Sequence, residues 1–315
     1  MPGKLFYKNQ QIPTPTLGGK NARVMFIGTQ YVGYDGQYSS FYSASGGTIF
    51  DSGSYRYHLY TASGDFTINT TALNQNIEVL VVGGGGGGAS GVYQTPGGGS
   101  GGAVVHIPIN ANFKLLQGTY NVVIGAGGAG QNGLTLAQSG SNSYITGSNV
   151  QITALGGIAQ DITFISQSGL PGLSGQYGHN FISGQGTSQG SGGGGGAGEI
   201  GGNAPSVGCA GGVGGDGYLV DTFPFASDWD SRSTNKWGAG GGGTSFPSAP
   251  GCGVTYAGAD GGESGGGKGK GTTTPINPNE INGYPNTGGG GGANVAANGA
   301  GNGAAGFIGF RYRIS

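Results

Sequence analysis

Short apolar segments that end at glycine form the main pattern along the chain. Residues 77–82 read Ile-Glu-Val-Leu-Val-Val and run directly into six glycines. In residues 55–60, Tyr55, Tyr57 and Leu59 alternate with Arg56, His58 and Tyr60. This is the period of a half-buried strand. Strand-like segments of this length, separated by glycine turns, are typical of an antiparallel all-β domain. The pattern therefore predicts a chain with little helix.

Two of the predicted strand pairings can be stated directly. Residues 55–60 and 66–68 flank a Ser-Gly-Asp turn, and this spacing predicts a β-hairpin. Apolar and charged side chains alternate again towards the end of residues 306–314. We therefore expect a terminal strand that pairs with residues 77–82 and closes the domain. The other predicted strands lie at 21–27, 48–51, 103–109, 120–124, 143–146 and 150–155.

Glycine is the most unusual part of the composition, with 79 of 315 residues, against a usual level of about 7%. Such a chain is either a disordered linker or an ordered structure in which backbones pack too closely for a Cβ. Disorder usually accompanies few aromatics and a high net charge. This chain has 10% aromatic residues and only 8% charged residues, which favours order.

The glycine tracts offer a specific form of order. Glycine can adopt an extended threefold helix like polyproline II while keeping its N–H, so neighbouring helices can bond to each other through backbone groups. We therefore predict an antiparallel β unit plus a bundle of polyglycine-II-like helices that carries exposed loops. The predicted scaffold residues are Gly83, Gly84, Gly85, Gly86, Gly87, Gly88, Gly192, Gly193, Gly194, Gly195, Gly196, Gly288, Gly289, Gly290, Gly291 and Gly292.

The changing pattern suggests a division into two regions. Residues 1–54 are interpreted as an N-terminal attachment or assembly region, and residues 55–315 as a glycine-rich domain. Within that domain we expect a β-rich part at 55–157, glycine tracts with variable loops at 158–305, and a closing strand at 306–315.

Charge and hydropathy narrow the functional classes. The net charge is −1, so no basic face is available for nucleic acid or an anionic membrane surface. The longest purely apolar run, at 79–82, is too short to cross a bilayer, and no signal peptide is visible. Cys209 and Cys252 leave two alternatives open, either one disulfide or two free cysteines.

Aromatic residues in the variable inserts are the candidate binding residues. Aromatics on loops of a rigid scaffold are typical of glycan or protein binding, whereas the alternative is that they fold back and cover the glycine bundle. The candidates are Tyr177, His179, Phe181, Tyr218, Phe223, Phe225, Trp229, Trp237, Phe246, Tyr256 and Tyr284.

Motifs for catalysis or metal binding are weak. Residues 211–219 match a calcium-binding nonapeptide once, but such sites need neighbouring repeats. Residues 262–268 approach a phosphate-binding loop, yet Gly269 stands where Ser or Thr would bind Mg²⁺. The cysteines and histidines lack zinc-ligand spacing. We therefore predict no enzyme activity, no cofactor and no metal.

The order of motifs resembles a known family. Residues 55–68, then 77–88, then 101–105, together with Gly-Thr-Tyr-Asn-Val-Val-Ile-Gly at 118–125 and the ending at 306–314, resemble the glycine-rich domain of phage tail and virion proteins. The second half is also similar to the adhesins at the long tail-fibre tips of T-even phages. The resemblance covers residues 55–315.

The resemblance implies a function for the inserts. In the tip adhesins, polyglycine helices form a sandwich whose variable segments contact the host surface, so we expect a receptor-binding adhesin on the virion surface, made in the host cytoplasm. The expected partners are a host receptor (an outer-membrane protein or a glycan), other virion or tail proteins, and in a homotrimer further copies of this chain. The alternative is a structural virion subunit that acts through self-association. An ice-binding protein is a third, weaker alternative.

Overall fold

The computed structural model is all-β, and its described residues contain no α-helix. It describes residues 41–72, 75–91, 96–132, 135–147, 150–159, 190–205, 210–223, 235–244, 258–263, 265–271, 279–295 and 299–315, together with the backbone of the strands within 6–39 and at 178–179. This confirms the all-β prediction with little helix.

The described residues contain twenty strands, many of them short. They are β1 (Phe6–Tyr7), β2 (Gln10–Gln11), β3 (Thr16–Leu17), β4 (Lys20–Asn21), β5 (Val24–Ile27), β6 (Gln30–Tyr34), β7 (Tyr38–Ser39), β8 (Ser43–Ser45), β9 (Thr48–Ser52), β10 (Tyr55–Tyr60), β11 (Gly64–Ala72), β12 (Ile77–Val82), β13 (Val104–Ile107), β14 (Gly118–Val123), β15 (Ser143–Gly147), β16 (Val150–Ala154), β17 (Gly178–His179), β18 (Tyr218–Leu219), β19 (Lys236–Trp237) and β20 (Phe307–Arg313).

The longer strands form two sheets. Sheet one has the order β17-β13-β12-β20-β10-β9, and sheet two has the order β16-β15-β14-β11-β7, with β8 also paired to β11. Apart from β7, which lies parallel to β11, the paired strands of both sheets are antiparallel. The predicted pairing of the terminal strand with residues 77–82 is confirmed, because β20 pairs with β12 from Ile77↔Tyr312 to Val82↔Phe307.

The predicted hairpin over residues 55–68 is wrong. β10 pairs with β9 and β20 in sheet one, whereas β11 pairs with β14 and β8 in sheet two. The chain therefore crosses from one sheet to the other at residues 61–63. A hairpin and a crossing of this kind give the same alternation of apolar and polar residues, so the pattern alone could not separate them.

A core of apolar side chains fills the space between the two sheets. Phe66 of sheet two stacks on Phe310 of sheet one, with ring centroids 3.9 Å apart, and both side chains are fully buried. Around them lie Tyr60, Ile68, Ile77, Val79, Val81, Tyr120, Val122, Ile145, Ile308 and Tyr312. Burial of this apolar surface is the main force that holds the sandwich together.

One histidine is buried in this core. The Nδ1 atom of His58 lies 2.7 Å from the Gly46 carbonyl oxygen, and its Nε2 atom lies 3.0 Å from the Tyr312 hydroxyl. A carbonyl only accepts, so Nδ1 carries the proton of the neutral ring and Nε2 accepts from the hydroxyl. Burial lowers the pKa of His58, although the bond to Gly46 opposes part of that effect.

The lowered pKa of His58 makes folding sensitive to acid. Because the unfolded state binds the proton more readily, we expect the free energy of unfolding to fall as the pH drops below about 6.5, the ordinary histidine value. The slope reaches at most about 1.4 kcal/mol per pH unit for this group. Urea unfolding between neutral and mildly acidic pH, compared with His58→Phe, measures it. Equal slopes for the two proteins would contradict this assignment.

Six strands adjoin glycine-rich segments, either before or after the strand. Strands β12, β14 and β16 lead into residues 83–91, 125–132 and 155–159, while residues 96–103, 138–142 and 299–306 lead into β13, β15 and β20. With the described parts of 190–217, 238–271 and 288–295, these segments form what we call the glycine layer. The layer extends the sandwich along the direction of its strands.

Candidate functional site

Consecutive N–H groups of the first glycine tract point to three different neighbouring segments. Every third residue donates to the same neighbour. The bonds run from residues 83, 86 and 89 to the carbonyls of Ala103, Ser100 and Gly97 (2.9, 2.9 and 3.0 Å), from 84 and 87 to those of Ser141 and Gln138 (3.0 and 2.9 Å), and from 85 and 88 to those of Ala304 and Gly301 (2.8 and 2.9 Å). A strand in a sheet has at most two neighbours, so this tract is ordered in a different way.

Other tracts repeat this period of three. Gly99 and Gly102 donate to the carbonyls of Gly291 and Gly288, at 2.9 and 2.8 Å. The amides of residues 240 and 243 likewise donate to the carbonyls of residues 215 and 212, both at 2.8 Å. The glycine layer is therefore held together by backbone hydrogen bonds between tracts that are far apart in the sequence.

The tracts approach each other too closely for side chains. The predicted scaffold glycines are all buried. A Cβ on Gly85 would lie 2.1 Å from the Gly289 carbonyl oxygen, and one on Gly194 would lie 2.1 Å from that of Gly99. Such distances are far below a van der Waals contact, and the atoms that obstruct are backbone atoms. Glycine is required here because neighbouring backbones occupy the space.

The glycine layer has two different ends. At the end that joins the sandwich, which we call the sheet end, Gly83 donates to Ala103 and Gly102 donates to Gly288. Ala197 also lies there, since its N–H donates to Gly238 at 2.7 Å. The opposite end, which we call the distal end, is formed by residues 89–91, 96, 190–191, 244 and 294.

Buried polar side chains close the distal end. The Ser191 hydroxyl donates to the Pro96 carbonyl at 2.6 Å, and the Thr244 N–H donates to the Ser191 hydroxyl at 2.8 Å. Nearby, the Ser90 N–H donates to the Gln131 side-chain oxygen at 2.9 Å. These groups satisfy backbone atoms where the tracts end. The residues that do so are Ser90, Gln131, Ser191, Thr244 and Asn294, all buried.

Most of the variable segments leave the glycine layer at the distal end. Pro96, Ser191 and Thr244, which are in mutual contact, stand at or next to the ends of the segments 92–95, 160–189 and 245–257. Asn294 forms bridges with Ser90 and Lys270, which places the start of 272–278 and of 296–298 at the same end. Chain entries and exits that are distant in the sequence therefore meet on one face.

Two of the predicted binding aromatics are buried, which corrects their interpretation as exposed. Phe223 and Trp237 have no exposed surface. Trp237 stacks on Phe307 with ring centroids 4.5 Å apart, and Phe223 packs edge-on to Tyr57 at 6.2 Å. Both belong to an apolar cluster on the outer face of sheet one. These two residues therefore pack on sheet one rather than project into solvent.

The structure separates the remaining candidates. Tyr218 and Tyr284 are half-buried and lie near the sheet end, where Tyr284 N–H donates to Gly265 at 2.8 Å. His179 lies in β17, whose backbone pairs with Val104 of β13. The other candidates fall outside the described residues, and so do both cysteines. They are Tyr177, Phe181, Phe225, Trp229, Phe246 and Tyr256.

The charged residues near the sheet end bind each other. Lys236 Nζ lies 2.6 Å from Asp216 Oδ2 and 2.8 Å from Glu263 Oε2, and the Glu263 N–H donates to Asp216 Oδ1 at 2.8 Å. Asp216 is the acidic residue of the single nonapeptide match, and its two oxygens are engaged in these contacts. Within the described part of the chain, no group of three or more His, Cys, Asp or Glu side chains is arranged to hold a metal ion.

The polar residues of the distal end were not among the site residues predicted from the sequence. Each of Ser90, Gln131, Ser191, Thr244 and Asn294 occupies a position at or next to the end of a glycine-rich run. A polar residue that ends such a run is the signal that could have identified them.

No helix in the described ranges is long and apolar enough to span a membrane.

Comparison with known proteins identifies the family. A search of curated proteins gives no match. A family model described as a glycine-rich domain matches residues 61–313, which is most of the chain and includes strands β11 to β20 and the glycine layer. The chain therefore belongs to the glycine-rich domain family.

Proposed function

We propose that the chain is a receptor-binding adhesin on the surface of a virion, and that it displays variable loops from a polyglycine scaffold. The virion role rests on the resemblance to phage tail proteins in the order of motifs. The display role rests on one structural observation, the meeting of several loop entries and exits at the distal end of the glycine layer.

The proposed scaffold is a bundle of polyglycine-II-like helices. A helix with three residues per turn aims successive N–H groups about 120° apart, so every third residue faces the same neighbour. The hydrogen bonds of residues 83–89 follow this rule in all three directions. Because each tract is held by its neighbours, the bundle can keep loop ends fixed without a large apolar core beneath them.

Recognition is proposed to depend on the distal loops. The segment 245–257 begins next to Thr244 and returns at Gly258, and it carries Phe246 and Tyr256. Aromatic side chains on such loops are the groups that most often dominate binding energy. The proposed partner is an outer-membrane protein or glycan of the host, and other virion proteins hold the opposite part of the chain. The place of action is the virion surface.

Binding of the fluorescently labelled full chain to a panel of candidate bacterial hosts tests this proposal. We expect the double variant Phe246→Ala/Tyr256→Ala to bind about 1,000-fold more weakly, since central aromatic anchors contribute roughly 2 kcal/mol each. Tyr284→Ala, which changes an aromatic near the sheet end, should bind like the unmodified chain. Unchanged binding by the double variant would reject the distal loops as the recognition surface.

One observation favours the structural alternative. Strands β1 to β6 form three two-stranded hairpins. Within the described residues, the two strands of each hairpin pair only with each other. Isolated two-stranded hairpins are marginally stable in water, and copies of this chain in a homotrimer would stabilise them by supplying further surface. Light scattering on the purified chain separates the two functions, because a structural subunit should form a stable oligomer without any host.

A further inference from the structure

A buried carboxylate lies on the outer face of sheet one. Glu78 of β12 has only 1% of its surface exposed. The Nε2 atom of His106 lies 2.8 Å from its Oε1, and the Nε atom of Arg311 lies 2.9 Å from its Oε2. These three residues stand on the adjacent strands β13, β12 and β20, where Glu78 faces Arg311 directly in the register.

A fourth group reaches this carboxylate from a different part of the chain. The Thr222 hydroxyl donates to Glu78 Oε1, and the Thr222 carbonyl accepts from Arg311 Nη1 at 3.4 Å. Thr222 belongs to the insert at residues 217–237, whose described parts, residues 218–223 and 235–237, we call the strap. Among the four residues of this cluster, Thr222 alone comes from outside sheet one.

The strap covers apolar surface of sheet one. Val220, Phe223 and Trp237 are buried against a cluster that includes Leu80, Val82 and Phe307. Gly309 makes room for Phe223, since a Cβ at that position would lie 2.6 Å from the Phe223 ring. The outer face of sheet one is therefore shaped to pack against the side chains of the strap.

The backbone hydrogen bonds of the strap join its own two segments. β18 and β19 pair through Tyr218↔Trp237 and Leu219↔Lys236, and the Val220 N–H donates to Asn235 at 2.9 Å. The contacts of the strap with sheet one that are described above come instead from side chains and from the Thr222 carbonyl. The backbone hydrogen bonds of such a segment lie within it, and it contacts the sheet mainly through side chains. It can therefore open without breaking the backbone hydrogen bonds of the sheet.

We propose that the strap opens from sheet one while the sheet itself stays folded, and that Glu78 is its lock. This role is independent of the adhesin function, because it concerns only how the insert at residues 217–237 is held on sheet one. It assigns the base of this insert to the scaffold rather than to a freely projecting loop. Glu78 is then a positioning residue, since it acts through Thr222.

Hydrogen exchange on the full chain with the substitution Thr222→Val tests the lock. This nearly isosteric change removes the hydroxyl and leaves Glu78, His106 and Arg311 in place. Since a hydrogen bond to a charged group is lost, we expect the Val220 amide, which is bonded to Asn235, to exchange roughly 10- to 100-fold faster. Amides of β12 and β20 should be unchanged.

A matched control uses a threonine pair on the other sheet. The Thr67 and Thr119 hydroxyls lie 3.1 Å apart in an exposed position, so Thr67→Val makes the same side-chain change and removes a hydroxyl hydrogen bond without touching the strap. It should leave exchange at Val220 unaltered. The proposal is overturned if Thr222→Val does not accelerate exchange in the strap. It is equally overturned if β12 accelerates by the same factor, because the strap then does not open separately.

Discussion

Replacement of Gly85 by alanine is expected to prevent stable folding of the glycine layer. The new Cβ would lie 2.1 Å from the Gly289 carbonyl oxygen and 2.4 Å from its carbon. Two backbones would have to separate, and each is bonded to further tracts, so relief cannot stay local. Overpacking usually costs about 1–3 kcal/mol when side chains can move. Here we expect a loss of about 4 kcal/mol or more, in the range that marks exceptional sites.

The steric origin of this effect can be separated from backbone preference. The φ angle of Gly85 does not lie in the left-handed region, so alanine could adopt the local conformation. Gly53 shows the reverse situation, with φ +57° and no atom within 4 Å of a new Cβ, and its substitution should cost only about 1–2 kcal/mol.

Gly64→Ala is the matched control for the collision. Its Cβ would make an ordinary contact at 3.8 Å from Tyr60, and the position is exposed in a strand. We expect little change or a slight gain of about 0.5 kcal/mol, since alanine loses less entropy than glycine on folding. Urea unfolding of the three variants gives the comparison. A Gly85→Ala protein as stable as Gly64→Ala would contradict the close packing of the tracts.

Removal of the Glu78 carboxylate is the second large effect. In Glu78→Ala, the Arg311 guanidinium keeps its cation–π contact with Tyr55, at 4.3 Å from the ring centroid, but loses its buried counter-charge. Breaking a buried ion pair on one side typically costs about 3–5 kcal/mol. We expect a loss of this size in the free energy of unfolding, measured in urea.

Two further variants distinguish the cause. The exposed ion pair of Asp51 with Arg56 lies on the same sheet, at 2.7 Å, and Asp51→Asn should change stability little, as is usual for surface pairs. The double variant Glu78→Leu/Arg311→Met should recover most of the loss, because an apolar pair replaces an uncompensated charge. If the double variant were less stable than Glu78→Ala, the unpaired charge would not be the cause.

The strands of the sandwich could be predicted because their side chains alternate. Strand β12 and its pairing with β20 follow from a continuous apolar run and an alternating C-terminal segment. The partners of β10 and of β11 could not be predicted in this way. Both strands present one face to the same core, although they belong to different sheets. Which sheet a strand joins depends on contacts such as Phe66 with Phe310, which are distant in the sequence.

The arrangement of the glycine tracts is a different problem. A residue without a side chain carries no information on which neighbour it will meet, so the partners of Gly84 and Gly85, Ser141 and Ala304, leave no trace in the tract itself. The need for glycine was predictable from the composition, whereas the register was not. The register is fixed by the strands at the sheet end and by polar residues such as Ser191 at the distal end.

The aromatic candidates show why exposure is hard to predict in the inserts. Phe223 and Trp237 lie in a segment rich in polar residues, which is typical of a surface loop. They are buried because the outer face of sheet one carries Leu80, Val82 and Phe307, and that apolar face needs a cover. The apolar character of both faces of β12 was visible in the sequence and is the signal that something packs on each side.

Amide hydrogen exchange by NMR on residues 83–88 of the full chain tests the central claim most directly. Each of these amides is bonded to a carbonyl in another segment at 2.8–3.0 Å. We therefore expect exchange about a thousandfold or more slower than in an unstructured peptide, and comparable with the amides of β12. Exchange at the rate of an unstructured glycine peptide, with β12 still protected, would show that the tract is a flexible linker and would contradict the scaffold.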